Sequence, residues 1–201
     1  MVQANAVKPE TLSLLKSLMS LEILEPYYLV GGTALALQLG HRLSVDLDFF
    51  GKVKLDYVEL LEELKQFGEL IPLREFDKVH QFSINGIHVD IVNRNYSLIK
   101  PIIKDEGVRM ASLGDIAAMK IFAVESRGKK RDFFDLYCLL DSFSFNEIIG
   151  FTMQKYPETN MLHVTRSLLD FHDAEEDEDP KMFQPITWEA VKDRIRTEVK
   201  R

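Results

Sequence analysis

Residues 27–50 read YYLVGGTALALQLGHRLSVDLDFF, and the order of elements predicted in this stretch decides the fold. The apolar YYLV predicts a short buried strand, and the glycine pair Gly31 and Gly32 predicts the turn that follows it. TALALQL then predicts a short helix, which ends at Gly40 because glycine adopts the left-handed C' conformation at little cost. The stretch therefore opens with a strand, a glycine turn and a helix.

The end of the same stretch, VDLDFF, alternates apolar and acidic residues with the period of a β-strand. Alternate side chains of a strand share a face, so Val45, Leu47 and Phe49 are predicted on one side. Asp46 and Asp48 are predicted on the other side. Two carboxylates therefore follow the glycine turn on a common strand face.

Further elements are predicted on both sides of this stretch. A first helix is predicted over residues 9–24, and KLDYVELLEELKQFG predicts an amphipathic helix. Its apolar side is formed by Leu55, Val58, Leu61, Leu64 and Phe67. KVHQFSI and IHVDIVN predict two strands joined by Asn85 and Gly86, a pair typical of a type I' hairpin turn. Asp90 is the third carboxylate within an apolar strand.

The signal from residue 112 onward is helical. Ser112 and Asp115 are spaced to cap a first turn, and helices are predicted at about 113–125, 131–141, 145–155, 160–171 and 187–200. The predicted class is α+β, with a mixed sheet flanked by helices over residues 1–108 and a helical bundle over 109–201. A cleft is expected between the two parts.

Composition indicates an ordinary globular chain. Its 201 residues are 46% hydrophobic and 28% charged, and no apolar run approaches the roughly 18 residues of a membrane span. The N-terminus lacks the pattern of an export signal, so a cytoplasmic location and no membrane partner are predicted. Cys138, the one cysteine, lies among apolar residues and is predicted to be an inert buried thiol.

The formal net charge of -7 is unevenly distributed. Seven acidic residues lie in DFHDAEEDED at 170–179, and without them the chain has 25 acidic and 25 basic residues. RGKKR at 127–131 is a local basic cluster, either a solvated turn or a contact for a phosphate-bearing polymer such as RNA. The acidic run is either a solvated loop or a segment, at 173–179, that contacts a basic antitoxin or masks the basic cleft.

A carboxylate in an apolar strand must be paired, hydrogen-bonded or bound to a metal ion. A divalent cation would satisfy all three strand carboxylates, and two Mg²⁺ ions can serve an in-line phosphoryl displacement. The alternative is that the D-x-D lies on the exposed face of a half-buried strand. The glycine pair favours the metal site, because backbone amides at the start of a helix suit a phosphate and Thr33 adds a hydroxyl. The alternative for the glycine pair is a simple tight turn between a strand and a helix.

Lys120 falls in the middle of the apolar stripe of the helix predicted at 113–125. It either extends past its neighbours to solvent or reaches an anion in a cleft. In the next helix, Asp132 and Asp135 are predicted on the flank, where Asp135 can pair with Arg131 at i, i+4.

These residues resemble the AbiEii/AbiGii-type nucleotidyltransferase toxins, a branch of the DNA polymerase β-like nucleotidyltransferase superfamily. The resemblance covers LVGGTALALQLGHRLSVDLDFF at 29–50, IHVDIV at 87–92 and SLGDIAAMKIFAVESRGKKRDFFDLYCLL at 112–140. Thr33 departs from the serine that usually follows the glycine in the wider superfamily, but the hydroxyl is kept. Residues 142–201 carry no such resemblance.

The resemblance implies a role for each matching position. Metal binding falls to Asp46, Asp48 and Asp90, which with Lys120 form the catalytic set, and nucleotide binding to Gly31, Gly32, Thr33, Lys120 and Arg127. The acceptor or structural motif comprises Arg42, Ser44, Lys129, Lys130, Arg131, Asp132 and Asp135. The implied cofactor is Mg²⁺, two ions with Mn²⁺ as a substitute.

The implied reaction transfers NMP from an NTP to a hydroxyl acceptor, such as RNA or tRNA, in the toxin of a bacterial toxin-antitoxin or phage-exclusion system. Two alternatives are a different D-x-D enzyme, such as a glycosyltransferase, and a catalytically silent module that binds a nucleotide or a partner. The short chain before the D-x-D disfavours a glycosyltransferase, and the presence of all three aspartates and Lys120 disfavours a silent module.

Overall fold

The computed structural model describes residues 2–94 and 96–200. The chain groups into two compact units. The first unit comprises Met1–Gly40, Ser44–Ser97 and Pro101–Ala111, and the second comprises His41–Leu43, Leu98–Lys100 and Ser112–Arg201. That residues 1–108 and 109–201 form two separate domains stays a prediction.

The first unit contains a mixed β-sheet. Its strands are β1 (Tyr27–Val30), β2 (Leu47–Gly51), β3 (Leu70–Phe76), β4 (Val79–Ile84), β5 (Ile87–Asn93), β6 (Ile103–Asp105) and β7 (Val108–Met110). They are ordered β3-β4-β5-β2-β1-β7-β6. The pairs β2/β5 and β1/β7 are parallel, whereas β1/β2, β3/β4, β4/β5 and β6/β7 are antiparallel. The predicted α+β class with a mixed sheet is confirmed.

Three α-helices belong to the first unit: α1 (Pro9–Ser20), α2 (Gly31–Leu39) and α3 (Tyr57–Lys65). Pro9 is tolerated at the first helical position of α1, because an N–H there would have no partner inside the helix. The prediction of one helix over residues 9–24 was too long, because Leu21 is extended and a short 3-10 turn covers Glu22–Leu24. Helix α2 ends at Gly40 with φ 63°, as predicted.

Two predicted apolar faces need correction. Leu47 and Phe49 are fully buried, but Val45 precedes β2 and is 48% exposed. In α3 the buried positions are Leu60 and Leu64, whereas Val58 is 68% exposed. Val58 lies in the first turn after the N-cap Asp56, whose carboxylate accepts its backbone N–H. The buried stripe of α3 is therefore narrower than the one predicted.

The predicted hairpin is confirmed, but three strands were missed. Asn85 and Gly86 have φ of 50° and 78° and join β4 to β5. Strand β3 is largely exposed and contains Pro72, so it shows no apolar alternation. Strands β6 and β7 have three residues each, too few for a period-two signal.

The helices of the second unit are α4 (Leu113–Arg127), α5 (Lys130–Leu139), α6 (Phe145–Lys155), α7 (Met161–Leu169), α8 (His172–Glu175) and α9 (Trp188–Val199). Five of them match the predicted helices, and α8 arises within the acidic run. Trp188 packs against Phe133, Phe134 and Phe171 with ring centroids 5.7 to 5.9 Å apart. This aromatic cluster joins α5 and α9 in the core of the unit. Over the described ranges 2–94 and 96–200, no helix has both the length and the apolar character required to cross a membrane.

Candidate active site

The glycine turn and the acidic strand meet at Gly31 and Asp48. Val30 and Asp48 are register partners on the antiparallel strands β1 and β2. Gly31 has φ 68°, and a Cβ added there would lie 2.6 Å from Oδ2 of Asp48. Only glycine allows this combination of left-handed backbone and close carboxylate. The structure thus brings together two features that the sequence predicts to converge.

Thr33 lies in the first turn of α2 and is buried. Its hydroxyl donates to the backbone carbonyl of Asp46, and its Oγ1 lies 2.8 Å from Oγ of Ser44. These contacts fasten the segment that precedes β2 to the start of α2. In this structure the hydroxyl predicted to hold phosphate is used within the protein, and its contact with a nucleotide stays a prediction.

The carboxylates of Asp48 and Asp90 project from neighbouring strands. The two residues are direct register partners on the parallel pair β2 and β5. Leu47, Phe49 and Val89 alternate with them and are fully buried, so both aspartates project from the opposite, partly exposed face. Like charges at adjacent strand positions repel, so this arrangement costs stability unless cationic or donor groups offset it.

Two side chains approach Asp90. Gln81 is its register partner on β4, and its amide Nε2 donates to Oδ2 of Asp90 at 2.9 Å. Nε2 of His88 lies 2.7 Å from Oδ1, the distance of an ion pair. That contact lacks hydrogen-bond geometry, and Oδ1 is buried without a hydrogen bond from the described residues. One oxygen of Asp90 is thus held by Gln81, while the other has the imidazole of His88 beside it.

The donor set fits a hard divalent cation. Asp46 lies two residues before Asp48, and carboxylate oxygens are the ligands that such ions prefer. Oδ1 of Asp90, which accepts no hydrogen bond from the described residues, lies next to the in-register Asp48 and is the position at which a cation would replace the contact with His88. Within the described part of the chain, no three His, Cys, Asp or Glu side chains converge at ligand distances. Side-chain rotation would therefore accompany binding.

The second unit contains a buried ionic network around Lys120. Its Nζ lies 2.8 Å from Oδ1 of Asp132 and 2.5 Å from Oδ2 of Asp135, and all three side chains are 5% exposed or less. Lys120 therefore meets protein carboxylates, neither extending to solvent nor free in this structure to bind phosphate. Its predicted contact with nucleotide phosphates stays a prediction.

Asp135 also contacts two side chains of the segment His41–Leu43. The guanidinium of Arg42 makes a bidentate contact with it at 2.6 and 2.9 Å, and Nε2 of His41 lies 2.8 Å from Oδ1. Burial alone would raise the pKa of Asp135, but Lys120 and Arg42 outweigh burial and hold that pKa well below its usual range. Arg42 thus has a structural contact, and the acceptor role stays a prediction.

The predicted flank position of Asp132 and Asp135 is wrong, because both side chains are fully buried. Asp135 pairs with Lys120, Arg42 and His41. A sequence signal was present, however. At i, i+3, i+4 and i+7 the two aspartates share one helix stripe with Leu136 and Leu139, both of which are fully buried.

The basic cluster at 127–131 is partly engaged within the second unit. Arg127 donates to Asp132, and Lys129 lies 3.0 Å from Oδ1 of Asp177 in the acidic run. Lys130 is buried, and its backbone N–H donates to Oδ2 of the same aspartate at 3.0 Å. The side chains of Arg127 and Lys129 remain about half exposed. The acidic run thus contacts the basic cluster in this structure.

Cys138 is buried, as predicted. Burial and then the nearby Asp135 raise the pKa of its thiol to about 12, so the thiol stays protonated at neutral pH. Both properties agree with the inert buried thiol that the sequence predicts.

Comparison with known proteins identifies the family. The sequence matches the family described as nucleotidyl transferase AbiEii toxin, Type IV TA system, over residues 13–201. The chain belongs to the AbiEii nucleotidyltransferase toxin family. The resemblance drawn from the sequence is thereby confirmed, and the protein is a nucleotidyltransferase. Enzymes of this kind typically use a divalent metal ion.

Similar proteins extend the family assignment. The uncharacterized protein aq_aa25 of Aquifex aeolicus (strain VF5) is 31% identical over 202 residues, which cover 96% of each chain. JHP933 from Helicobacter pylori has a TM-score of 0.62 at 21% identity, covering 98% of this chain and 90% of that one. MenT4, a nucleotidyltransferase toxin from Mycobacterium tuberculosis H37Rv, has a TM-score of 0.59 at 16% identity, covering 96% and 84%.

ANT(2'')-Ia, in complex with adenylyl-2''-tobramycin, has a TM-score of 0.55 at 14% identity, covering 75% of this chain and 99% of that one. These likenesses show a common fold, the polymerase β-like nucleotidyltransferase fold that the sequence predicts.

In this AbiEii-family chain, the sequence did not predict that Gln81 and His41 contact the carboxylates Asp90 and Asp135. Gln81 carries no motif, and His41 acquires its role only through contact with Asp135, 94 residues away.

Proposed function

We propose that the protein is a Mg²⁺-dependent nucleotidyltransferase that moves a nucleoside monophosphate from an NTP to a hydroxyl group on RNA. The observation that carries the proposal is the meeting of Gly31 with Asp48, which is itself in register with Asp90. A glycine turn at the start of a helix beside paired carboxylates suits a metal-bound triphosphate. We further propose that the enzyme is the toxin of a toxin-antitoxin pair, as its family membership suggests.

Asp46, Asp48 and Asp90 would hold the divalent ions. When bound, these ions would activate the attacking hydroxyl and stabilise charge on the departing oxygen. Gly31 and Gly32 would present backbone N–H groups at the start of α2 to phosphate oxygens, where the helix dipole also favours negative charge. At Gly31, the space that a Cβ would take is occupied by the carboxylate of Asp48.

Asp90 would accept the proton of the acceptor hydroxyl through Oδ1, the oxygen without a hydrogen bond. The acceptor oxygen then forms a bond to the α-phosphorus of the NTP. The bond from that phosphorus to the oxygen bridging to the β-phosphate breaks, and pyrophosphate leaves with the bridging oxygen. The product is the acceptor carrying a nucleoside monophosphate.

The test is incubation of the protein with each labelled NTP, Mg²⁺ and total RNA, followed by sequencing of the labelled RNA. Asp48→Asn keeps the size of the side chain and removes its charge, so labelling should fall at least 100-fold. Equal labelling by wild type and variant would reject the proposal. Binding of Mg²⁺ and NTP without any transfer would instead favour a silent nucleotide-binding module, and cleavage of a nucleotide sugar would favour a glycosyltransferase.

The RNA acceptor is proposed because of the basic cluster at 127–131. The side chain of Lys129 is half exposed and Arg131 is exposed, whereas Lys130 is buried and less suited to reach a polymer. If Lys129 and Arg131 contact RNA phosphates, replacing each with alanine should lower the slope of log affinity against log salt by about 0.7 per contact. An unchanged slope would reject RNA binding by this cluster.

A further inference from the structure

Gln81 is a further residue whose position points to the proposed reaction. It lies on β4 directly opposite Asp90 of β5, and its amide is the hydrogen-bond donor to Oδ2 of that carboxylate. Phe82, the next residue along the strand, is fully buried, so Gln81 projects from the same partly exposed sheet face as Asp90. The pair therefore lies beside Asp48 in one row across three strands.

The hydrogen bond makes the two oxygens of Asp90 unequal. Oδ2 is held at 2.9 Å by the amide, whereas Oδ1 is buried, accepts no hydrogen bond from the described residues and lies 2.7 Å from Nε2 of His88, which a metal ion would displace. A carboxylate anchored through one oxygen has a fixed plane, so its other oxygen is presented in one direction. Metal ligands are commonly oriented in this way by an outer hydrogen bond.

A neutral donor suits this place for an electrostatic reason. Asp48 and Asp90 already put two negative charges in register, and a third carboxylate would increase their repulsion. A lysine at position 81 would instead pair with Asp90 and compete with a metal ion for it. Glutamine supplies an N–H donor without changing the charge that the ion would neutralise.

We propose that Gln81 is a positioning residue, which orients Asp90 so that Oδ1 is presented to the divalent ion and to the acceptor hydroxyl. The inference rests on the proposed function for the role of Asp90. Beyond that function, we expect the reaction to depend on the amide of Gln81 through Asp90, without a contact between that amide and the nucleotide or the acceptor.

The test compares variants that remove the amide in different ways. Gln81→Met keeps the length of the side chain, and Gln81→Thr provides a second variant with a residue that favours strands. The matched control is Gln66→Met, the same chemical change at an exposed residue whose amide donates to Glu63. Thermal unfolding identifies which variants are folded before any other measurement.

Two readouts are taken on the folded variants. The first is Mn²⁺ affinity without nucleotide, from the electron paramagnetic resonance signal of free Mn²⁺. The second is the kcat and the KM for NTP in the labelling reaction. Both Gln81 variants should bind Mn²⁺ about 10-fold more weakly and lose about 10-fold in kcat, with KM changed less than about 3-fold. Gln66→Met should match wild type in both.

Wild-type Mn²⁺ affinity and kcat in a folded Gln81 variant would overturn the inference. A loss confined to KM would also overturn it, because that result would indicate a contact with the nucleotide. The wild-type protein separates this outcome from failure of the proposed function. If wild type binds Mn²⁺ but labels no acceptor, the proposed function fails, while the Mn²⁺ comparison still decides whether Gln81 orients Asp90.

Discussion

At the scale of single residues, Gly31 joins backbone geometry to the candidate site. Its φ of 68° is unfavourable for any residue with a Cβ, and the added atom would lie 2.6 Å from Oδ2 of Asp48. Left-handed backbone costs a non-glycine residue roughly 1–2 kcal/mol, and here the carboxylate must move as well. The backbone conformation and the nearby Asp48 carboxylate thus each favour glycine at this position.

We predict that Gly31→Ala lowers the free energy of unfolding by about 1–3 kcal/mol and lowers labelling activity at least 10-fold, because Asp48 is displaced. Urea unfolding and the RNA-labelling assay measure the two effects. Gly150→Ala is the control, since an added Cβ there meets no atom within 4 Å inside α6. Full activity in Gly31→Ala would contradict the prediction.

Lys120 offers a second prediction at this scale, because its structural and proposed chemical roles have different signatures. Its replacement leaves Asp132 and Asp135 with fewer cations in a fully buried position. Breaking a buried ion pair on one side typically costs about 3–5 kcal/mol. We therefore predict that Lys120→Met lowers the free energy of unfolding by about that amount without any nucleotide present.

Urea unfolding of Lys120→Met and Lys54→Met tests this. Lys54 pairs with Asp77 at 2.8 Å, but both side chains are more than 70% exposed, so its loss should leave stability nearly unchanged. Unchanged stability of Lys120→Met together with a raised KM for NTP would show that the lysine serves the nucleotide and does not brace the second unit.

At the scale of elements, helix α5 begins with a cap supplied from a distant segment. Its N-cap residue, Lys129, makes no side-chain cap hydrogen bond. Asp177 of the acidic run accepts the N–H of Lys130 instead and also pairs with the Lys129 ammonium. A carboxylate near a helix N-terminus is additionally favoured by the helix dipole. Part of the acidic run thus has a structural role.

We predict that Asp177→Ala lowers the free energy of unfolding by about 1 kcal/mol, the usual value of a lost cap. Asp173→Ala removes the same group from the exposed part of the same run and should have little effect. Chemical denaturation of the two variants and wild type makes the comparison. Equal stability of all three would show that the contact with α5 is dispensable.

How far the elements could be predicted depends on where their signal lies. YYLV, the Asn85-Gly86 turn and helix α6 were predicted to the residue, because periodicity and turn chemistry are local. Strand β3 was missed since pairing with β4, rather than its own pattern, makes it a strand. Local sequence cannot report such a partner.

Some residues of the candidate site could likewise be predicted from local sequence, whereas others could not. Asp48 and Asp90 were predicted on strand faces from alternation, and their register agrees with one site. The burial of Asp135 depends on Arg42, 93 residues away, and the role of Gln81 depends on its partner strand. Local pattern thus located the candidate ligands, whereas the residues that position or neutralise charges required tertiary structure.

At the scale of the whole molecule, buried carboxylates with lowered pKa are concentrated in the second unit. Asp115 accepts from Ile99, Lys100, Ser112 and Lys155 and is fully buried. Burial opposes ionisation of Asp115 and Asp132, but nearby cations outweigh it. The hydrogen bond and charge of Lys155 lower the pKa of Asp115. The charges of Lys120 and Arg127 lower the pKa of Asp132. The pKa of Asp135 lies well below its usual range, because the charges of Lys120 and Arg42 outweigh its burial.

The sign of the linkage follows from these shifts. A carboxyl group whose pKa is lower in the folded state contributes stability above its unfolded pKa, about 3.9 for aspartate. That stability is lost as pH falls from about 5 through the unfolded pKa towards the folded one. We therefore predict that the second unit unfolds in acid at a higher pH than the sheet of the first unit.

Trp188 makes this measurable, because it is the one tryptophan of the chain and lies in the core of the second unit. Its fluorescence should be constant from pH 7 to about pH 5 and change below about pH 4. The infrared amide I band of the strands should change at lower pH, since the fully buried ion pairs named above belong to the second unit. Coincident transitions would show instead that the two units unfold together.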